Sequence, residues 1–248
     1  MKNFRIEIQY DGRRYNGWQR QGNTQNTIQG KIEQILSRMT GHAVTINGAG
    51  RTDAGVHARA QTANFKIQTE LSAEEIQSYI NLYLPADILI TQCTQVGERF
   101  HARLNAVGKT YCYRLCDGSR PDVFRRNYVC AWEHVLNEQA MRQAADYLIG
   151  THDFRAFSSV NKRFKKSTVR TIRAIEIERS GNELCITFTG DGFLYNMVRI
   201  LTGTLAEVGE GKRRPEDMPA ILESLDRQQA GITMPPNGLM LERVYYQD

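Results

Sequence analysis

The chain has 248 residues, 41% hydrophobic and 24% charged, a balance that supports a packed core and excludes global disorder. Its 32 Lys and Arg against 27 Asp and Glu leave a net charge of +5, a modest surplus that favours a polyanionic partner without specifying one. No run approaches the roughly 18–20 uninterrupted apolar residues of a membrane span. The N-terminus alternates like a strand and lacks the layout of a signal peptide. Cys93, Cys112, Cys116, Cys130 and Cys185 are odd in number, irregular in spacing and without a Cys-x-x-Cys pair. They are expected to be reduced thiols of a cytoplasmic protein, neither a disulfide framework nor a zinc site, and no metal site is expected elsewhere.

In chain order, Ile6, Ile8 and Tyr10 alternate on a first strand that turns at Asp11-Gly12. After Thr27, the residues Ile28, Ile32, Ile35, Leu36 and Met39 share one face of a helix that Gly41 stops. Val44–Ile46 is predicted as a strand entering a glycine-rich loop, and Thr62–Lys66 as another strand. Ser72 with Glu75 forms a capping box for a helix that Pro85 ends, and Asp87–Val96 is a further strand. This β-α-β-β-α-β order recurs. Tyr111–Leu115 is a strand, which Tyr128–Trp132 extends, and Asn137 opens a helix stopped by Gly150. Ile172–Ile177 and Leu184–Phe188 form a hairpin around Ser180-Gly181-Asn182. A helix carries Met197, Ile200, Leu201, Leu205 and Val208, Pro215 opens a shorter one, and Leu239–Tyr246 is the last strand.

Two split βαβ, ferredoxin-like halves, 1–105 and 106–248, are the expected α+β architecture. No Pro/Gly/Ser-rich linker separates the halves, so they are expected to share a continuous interface and flank a cleft. The cations cluster. Lys162–Arg173 contains Lys162, Arg163, Lys165, Lys166, Arg170 and Arg173 with no acid, and Arg99, Arg103, Lys109 and Arg114 surround His101. Each run reads either as a solvated loop or as a phosphate contact.

The stretch Asn47-Gly48-Ala49-Gly50-Arg51-Thr52-Asp53-Ala54-Gly55-Val56-His57-Ala58 stands apart. Asp53 occupies the third-glycine position of a dinucleotide fingerprint, where it would repel a pyrophosphate, and no Walker Gly-Lys-Ser/Thr follows. The loop holds an Arg and an Asp two residues apart among glycines that let a bulky ligand approach the backbone. It reads either as a turn with a local ion pair or as a site in which Asp53, beside a cation, is an ionised nucleophile or base.

Gly48–Ala58 resembles the signature of the TruA family of tRNA pseudouridine synthases. Asp11-Gly12, Trp18 and Thr27-Ile28-Gln29-Gly30 match before it. Phe100-His101-Ala102-Arg103, Lys109-Thr110-Tyr111-Cys112-Tyr113, Gly192-Phe193-Leu194, Met197-Val198-Arg199 and Gly238-Leu239-Met240-Leu241 match after it. The resemblance implies that the two ferredoxin-like halves share an extended, mostly antiparallel sheet with a basic RNA cleft between them, in a homodimeric, cofactor-independent isomerase acting on uridines at positions 38 to 40 of the tRNA anticodon stem-loop. It implies Asp53 as the catalytic carboxylate and Arg51 as the residue that holds the nucleotide flipped out. Tyr111 is implied to stack on the target base, Arg199 to pair with the catalytic Asp, and Leu239 to pack under the uracil. Lys109, Arg103, Lys165 and Lys166 are the expected RNA contacts. His57 and His101 are left as structural or RNA-contacting, and Trp18 as packing or stacking. A ribosomal RNA substrate and a non-catalytic RNA-binding module are the competing readings.

Overall fold

A computed structural model describes residues 1–161 and 164–247, so Lys162 and Arg163 of the basic run lie outside the described residues. In chain order the elements are β1 (Lys2–Tyr10), α1 (Ile28–Thr40), β2 (Asn47–Gly48), β3 (His57–Ile67), α2 (Ala73–Tyr83), β4 (Ile88–Val96) and β5 (Ala106–Asp117). They continue with β6 (Cys130–Trp132), α3 (Glu138–Asp146), β7 (Gly150–Asp153), β8 (Val169–Ser180), β9 (Glu183–Gly190), α4 (Met197–Gly209), α5 (Met218–Ser224) and β10 (Leu239–Tyr246). The class is mixed α+β, as expected. Among the described residues, no helix is long and apolar enough to cross a membrane. The chain forms two compact units, one of Met1–Val107 with Met240–Asp248 and one of Gly108–Leu239.

In the first unit β1 pairs antiparallel with β3 on one side and β4 on the other, and β2 pairs antiparallel with β3. That is the split βαβ order, with β10 added parallel to β3 at Met240↔His57 and Leu241↔Ala58. Phe4 faces Phe65 in register and their rings stack at 5.8 Å. Ile6, Ile8, Ile28, Ile32, Leu36, Ile76 and Ile80 are fully buried, each worth about 1.5–3 kcal/mol. Thr27 caps α1 and Gly41, at φ +75, closes it. Ser72 and Glu75 form the capping box on α2 in both directions. The expected strand at Val44–Ile46 is replaced by the two-residue β2. Side chains of α1 take the backbone donors a strand would use: Ser37 Oγ accepts Val44 N–H at 3.0 Å, and Glu33 Oε1 accepts Ile46 N–H at 3.0 Å.

In the second unit β5, β9, β8 and β7 pair antiparallel in that order, and β6 runs parallel to β5. Cys130–Trp132 is therefore a separate strand, not an extension of β5. The four-residue β7 follows α3 where the sequence showed only a helix stop. Asn137 Oδ1 caps α3 by accepting Ala140 N–H at 3.1 Å. The expectation of five reduced cysteines is corrected: Cys112 and Cys185 form a disulfide, while Cys93, Cys116 and Cys130 are free and buried. The reason is tertiary. Cys112 lies opposite Thr187, two residues from Cys185 on the paired strand, which brings the two Cα atoms to 6.3 Å across a sequence separation of 73.

A buried ion pair fixes the β5–β8 end of this unit. The Asp117 carboxylate, with its side chain 1% exposed, accepts from Arg179 Nη1 at 2.7 Å, Arg179 Nη2 at 3.0 Å and Leu136 N–H at 2.7 Å. Burial pushes the Asp117 carboxyl up, but the Arg179 and Leu136 hydrogen bonds outweigh it and hold it below the usual carboxylate range.

Candidate active site

The glycine-rich loop leaves β2 and returns into β3, and the residues around it are mostly buried. Trp18 is 1% exposed, Thr52 6% and Gln61 0%. The backbone is tied on both sides: Ala49 N–H donates to Thr62 O at 2.7 Å, and Trp18 N–H donates to Thr52 O at 3.0 Å. Gln61 Nε2 donates to Gly50 O at 3.1 Å, and the Tyr10 hydroxyl bonds Thr52 Oγ1 at 2.8 Å. Burial raises the Tyr10 phenol well above its ordinary value, against the Thr52 and Gln61 hydrogen bonds that lower it. Tyr10 therefore stays neutral as a structural strut.

Two glycines admit close approaches that a side chain would block. Gly17, at φ +87, lies so that a Cβ would stand 2.7 Å from Thr52 O and 3.2 Å from the Asp53 carbonyl carbon. Gly48 lies against the Trp18 indole, with no room for a Cβ. Trp18 is thus the floor of the loop and packs rather than stacks on RNA. His57 is also structural: it is 1% exposed, and its Nδ1 accepts Gly12 N–H at 3.2 Å.

Within this frame Asp53 is half-buried, with its carbonyl accepting Val56 N–H at 3.1 Å. Arg51 is exposed and donates from Nε to Gln19 Oε1 at 3.2 Å. The same unit holds Arg103, exposed, and His101, whose Nδ1 accepts Arg103 N–H at 3.1 Å. A shallow polar hollow of about 640 Å³ is lined by Lys66, Arg99, His101, Asn47, Asn64, Thr45, Glu98 and Phe100.

The second unit holds the other expected residues. Tyr111, 7% exposed, sits on β5 opposite Phe188, with the Phe193 ring edge-on at 5.3 Å and 83°. Arg199 is half-buried on α4. It donates from Nε to Met234 O at 2.6 Å and from Nη1 to Asn196 Oδ1 at 2.9 Å. Asn196 itself stands at φ +61, a conformation Asn tolerates better than most residues, and its amide also reaches Ser159 Oγ at 3.0 Å. The guanidinium is therefore held rather than snorkelling. Leu239, 5% exposed, opens β10. Lys109 is half-buried on β5, and Lys165 and Lys166 are exposed.

The sequence profile described as "tRNA pseudouridine synthase" matches residues 6–105 and 144–247. The chain belongs to that family. Curated relatives agree. A "tRNA pseudouridine synthase A" of Bacillus sp. (strain KSM-64) is 48% identical over 246 residues, covering 99% of this chain and 100% of the relative. A "tRNA pseudouridine synthase A 2" of Clostridium perfringens is 45% identical, and a "tRNA pseudouridine synthase A" of Clostridium acetobutylicum 44% identical, each with the same coverage. Among solved structures, a chain titled "Crystal Structure of a Cbf5-Nop10-Gar1 Complex" matches remotely, at 13% identity and a TM-score of 0.41, covering 98% of this chain and 50% of that one.

As a tRNA pseudouridine synthase family member the chain is an isomerase. What sequence reading missed in this family member is the support of the loop. In the sequence Tyr10 only ends a strand, and nothing local ties Gln61 or Gln19 to the loop. Their roles depend on partners 42, 11 and 32 residues away along the chain. Only Gln19 had a local signal, its place beside Trp18.

Proposed function

We propose that the chain isomerises uridine to pseudouridine in tRNA, at positions 38 to 40 of the anticodon stem-loop, with Asp53 as the catalytic carboxylate. The reaction breaks the N1–C1′ bond and joins C5 to C1′. C5 loses its hydrogen as a proton and N1 gains one, so the atoms balance without redox partner or energy source. One carboxylate is required, to attack the nucleoside or to take a proton from it. The observation that carries the reading is the loop of Asp53, braced by Trp18, Gly17, Gln61 and Tyr10 so that a half-buried carboxylate is presented on a fixed backbone. The identity with curated synthases over 99% of the chain supports the substrate.

The uridine must leave its stack, which costs a few kcal/mol. Arg51 holds the nucleotide out, Tyr111 stacks on the base and relays the C5 proton, Arg199 supplies a fixed cation, and Leu239 packs under the ring. Lys109, Arg103, Lys165 and Lys166 take phosphates. Two folded halves, 1–105 and 106–248, with a basic cleft, homodimerisation and a cytoplasmic location belong to the same reading and rest on the family resemblance. The cytoplasmic location loses the support of wholly reduced cysteines.

Incubation with tRNA tritiated at uridine C5 tests the proposal. Tritium is expected in water without added cofactor, and Asp53→Asn is expected to abolish release while RNA binding persists. Turnover by that variant would remove Asp53 from the chemistry. Release from ribosomal RNA alone would change the substrate, and tight binding without release would leave a passive RNA module.

A further inference from the structure

Beside Trp18, the half-buried Gln19 and the exposed Arg20 reach the buried polar side chains of Gln29, in the matched Thr27-Ile28-Gln29-Gly30, and of Glu33. Glu33, on α1, is 5% exposed, a costly place for an acid unless several donors surround it. Its Oε1 accepts Gln29 Nε2 at 2.8 Å and Ile46 N–H at 3.0 Å, and its Oε2 takes Arg20 Nη1 at 3.4 Å. Gln29, 6% exposed, also donates from Nε2 to Ile46 O at 3.3 Å. With its amide nitrogen so committed, Gln29 turns its oxygen the other way. Oε1 accepts Arg20 N–H at 2.9 Å and Gln19 Nε2 at 2.7 Å. That fixes which end of the Gln19 amide is nitrogen, and leaves Gln19 Oε1 to accept Arg51 Nε at 3.2 Å.

We propose that Gln19 is the positioning residue for Arg51, oriented by a relay of side-chain hydrogen bonds that starts at the buried Glu33 and passes through Gln29. Each amide in the relay has one orientation that satisfies its neighbours, so the direction of the last acceptor, Gln19 Oε1, is set two residues back, at Glu33. The same Glu33 oxygen holds Ile46, the residue before β2, so one carboxylate fixes both the backbone entry to the loop and the aim of its arginine. An exposed arginine otherwise samples many rotamers. A fixed acceptor at Nε restricts where the terminal nitrogens can point, which favours the holding role proposed for Arg51.

The inference rests on the role assigned to Arg51, and the test separates the two. Single-turnover tritium release and RNA affinity are measured for Gln19→Leu, Arg51→Ala and the double variant. Gln19→Leu is expected to lower the rate about tenfold with RNA affinity within about twofold, because the RNA still docks while its nucleotide is less often held out. In the Arg51→Ala background Gln19→Leu is expected to change nothing further. Equal losses in both backgrounds, or full activity of Gln19→Leu, overturn the positioning role. Full activity of Arg51→Ala overturns the role of Arg51, and the relay's purpose with it. A measurement without turnover stands beside these. The Arg51 Nε–H proton, assigned by its absence in Arg51→Lys, should exchange slowly with water in the free protein and rapidly in Gln19→Leu. Fast exchange in the unmutated chain overturns the relay whatever the assay gives.

Discussion

Replacing Gly17 by Ala tests whether the loop's backbone must be where the fold puts it. Gly17 has φ +87, which costs an L residue about 1–2 kcal/mol. The new Cβ would stand 2.7 Å from Thr52 O, and 3.2 Å from both the Asp53 carbonyl carbon and Ala54 N. Those are backbone atoms, so no side chain can swing away, and relief requires the Thr52–Ala54 segment to retreat by about 0.5 Å. Overpacking of this kind adds about 1–3 kcal/mol, for a total loss of roughly 2–4 kcal/mol in urea unfolding. Misplacing a reacting group by about 1 Å costs on the order of a hundredfold in rate, so half that shift at Asp53 predicts about a tenfold fall in single-turnover tritium release. Gly41→Ala is the control. Gly41 is also left-handed, at φ +75, but a Cβ there meets nothing within 4 Å. It is expected to lose about 1–2 kcal/mol and no activity. A Gly17→Ala enzyme that is destabilised but turns over at full rate would refute the idea that this close approach sets the carboxylate.

Other expectations concern the second unit. The Asp117 carboxyl is held below its ordinary value, so its contribution is present above about pH 4 and is lost as the pH falls further. Urea unfolding should show that acid-side loss, and Asp117→Asn should flatten it. An unchanged slope would mean that other carboxylates govern acid unfolding. Neutralising the exposed Lys165 and Lys166 should weaken tRNA binding and reduce its dependence on log salt by about one unit for each phosphate no longer neutralised. An unaltered slope would make that run a solvated loop. Alkylation of the denatured, unreduced protein should modify only Cys93, Cys116 and Cys130, and all five cysteines after reduction. Five modified thiols without reductant would refute the Cys112–Cys185 pair.

The elements legible in the sequence were those whose signals are local. The Thr27 cap and Gly41 stop bracket α1, the Ser72–Glu75 box starts α2, and Leu239–Tyr246 is the observed β10. Val44–Ile46 is β-prone in sequence yet forms no strand, because Val44 and Ile46 give their backbone donors to Ser37 and Glu33, which no local pattern reveals. The Cys112–Cys185 pair depends on strand register, and Asp117 finds Arg179 from 62 residues away. At the site, the glycine loop and its Asp and Arg stood out by composition. Their supports did not, because Gln19, Gln29 and Glu33 look like ordinary surface residues of a turn and a helix until the fold joins them and buries Gln29 and Glu33.

The indole beneath Gly48 has an optical consequence. The chain has two tryptophans, and Trp18, at 1% exposure, is sealed from water directly behind the glycine loop. An indole in so dry a setting emits toward the blue, and its emission answers to any movement of the backbone laid across it. With Trp132 replaced by Phe, the protein carries a single tryptophan at the floor of the loop, and a change in its emission on adding RNA would report movement of that backbone without label or radioactivity.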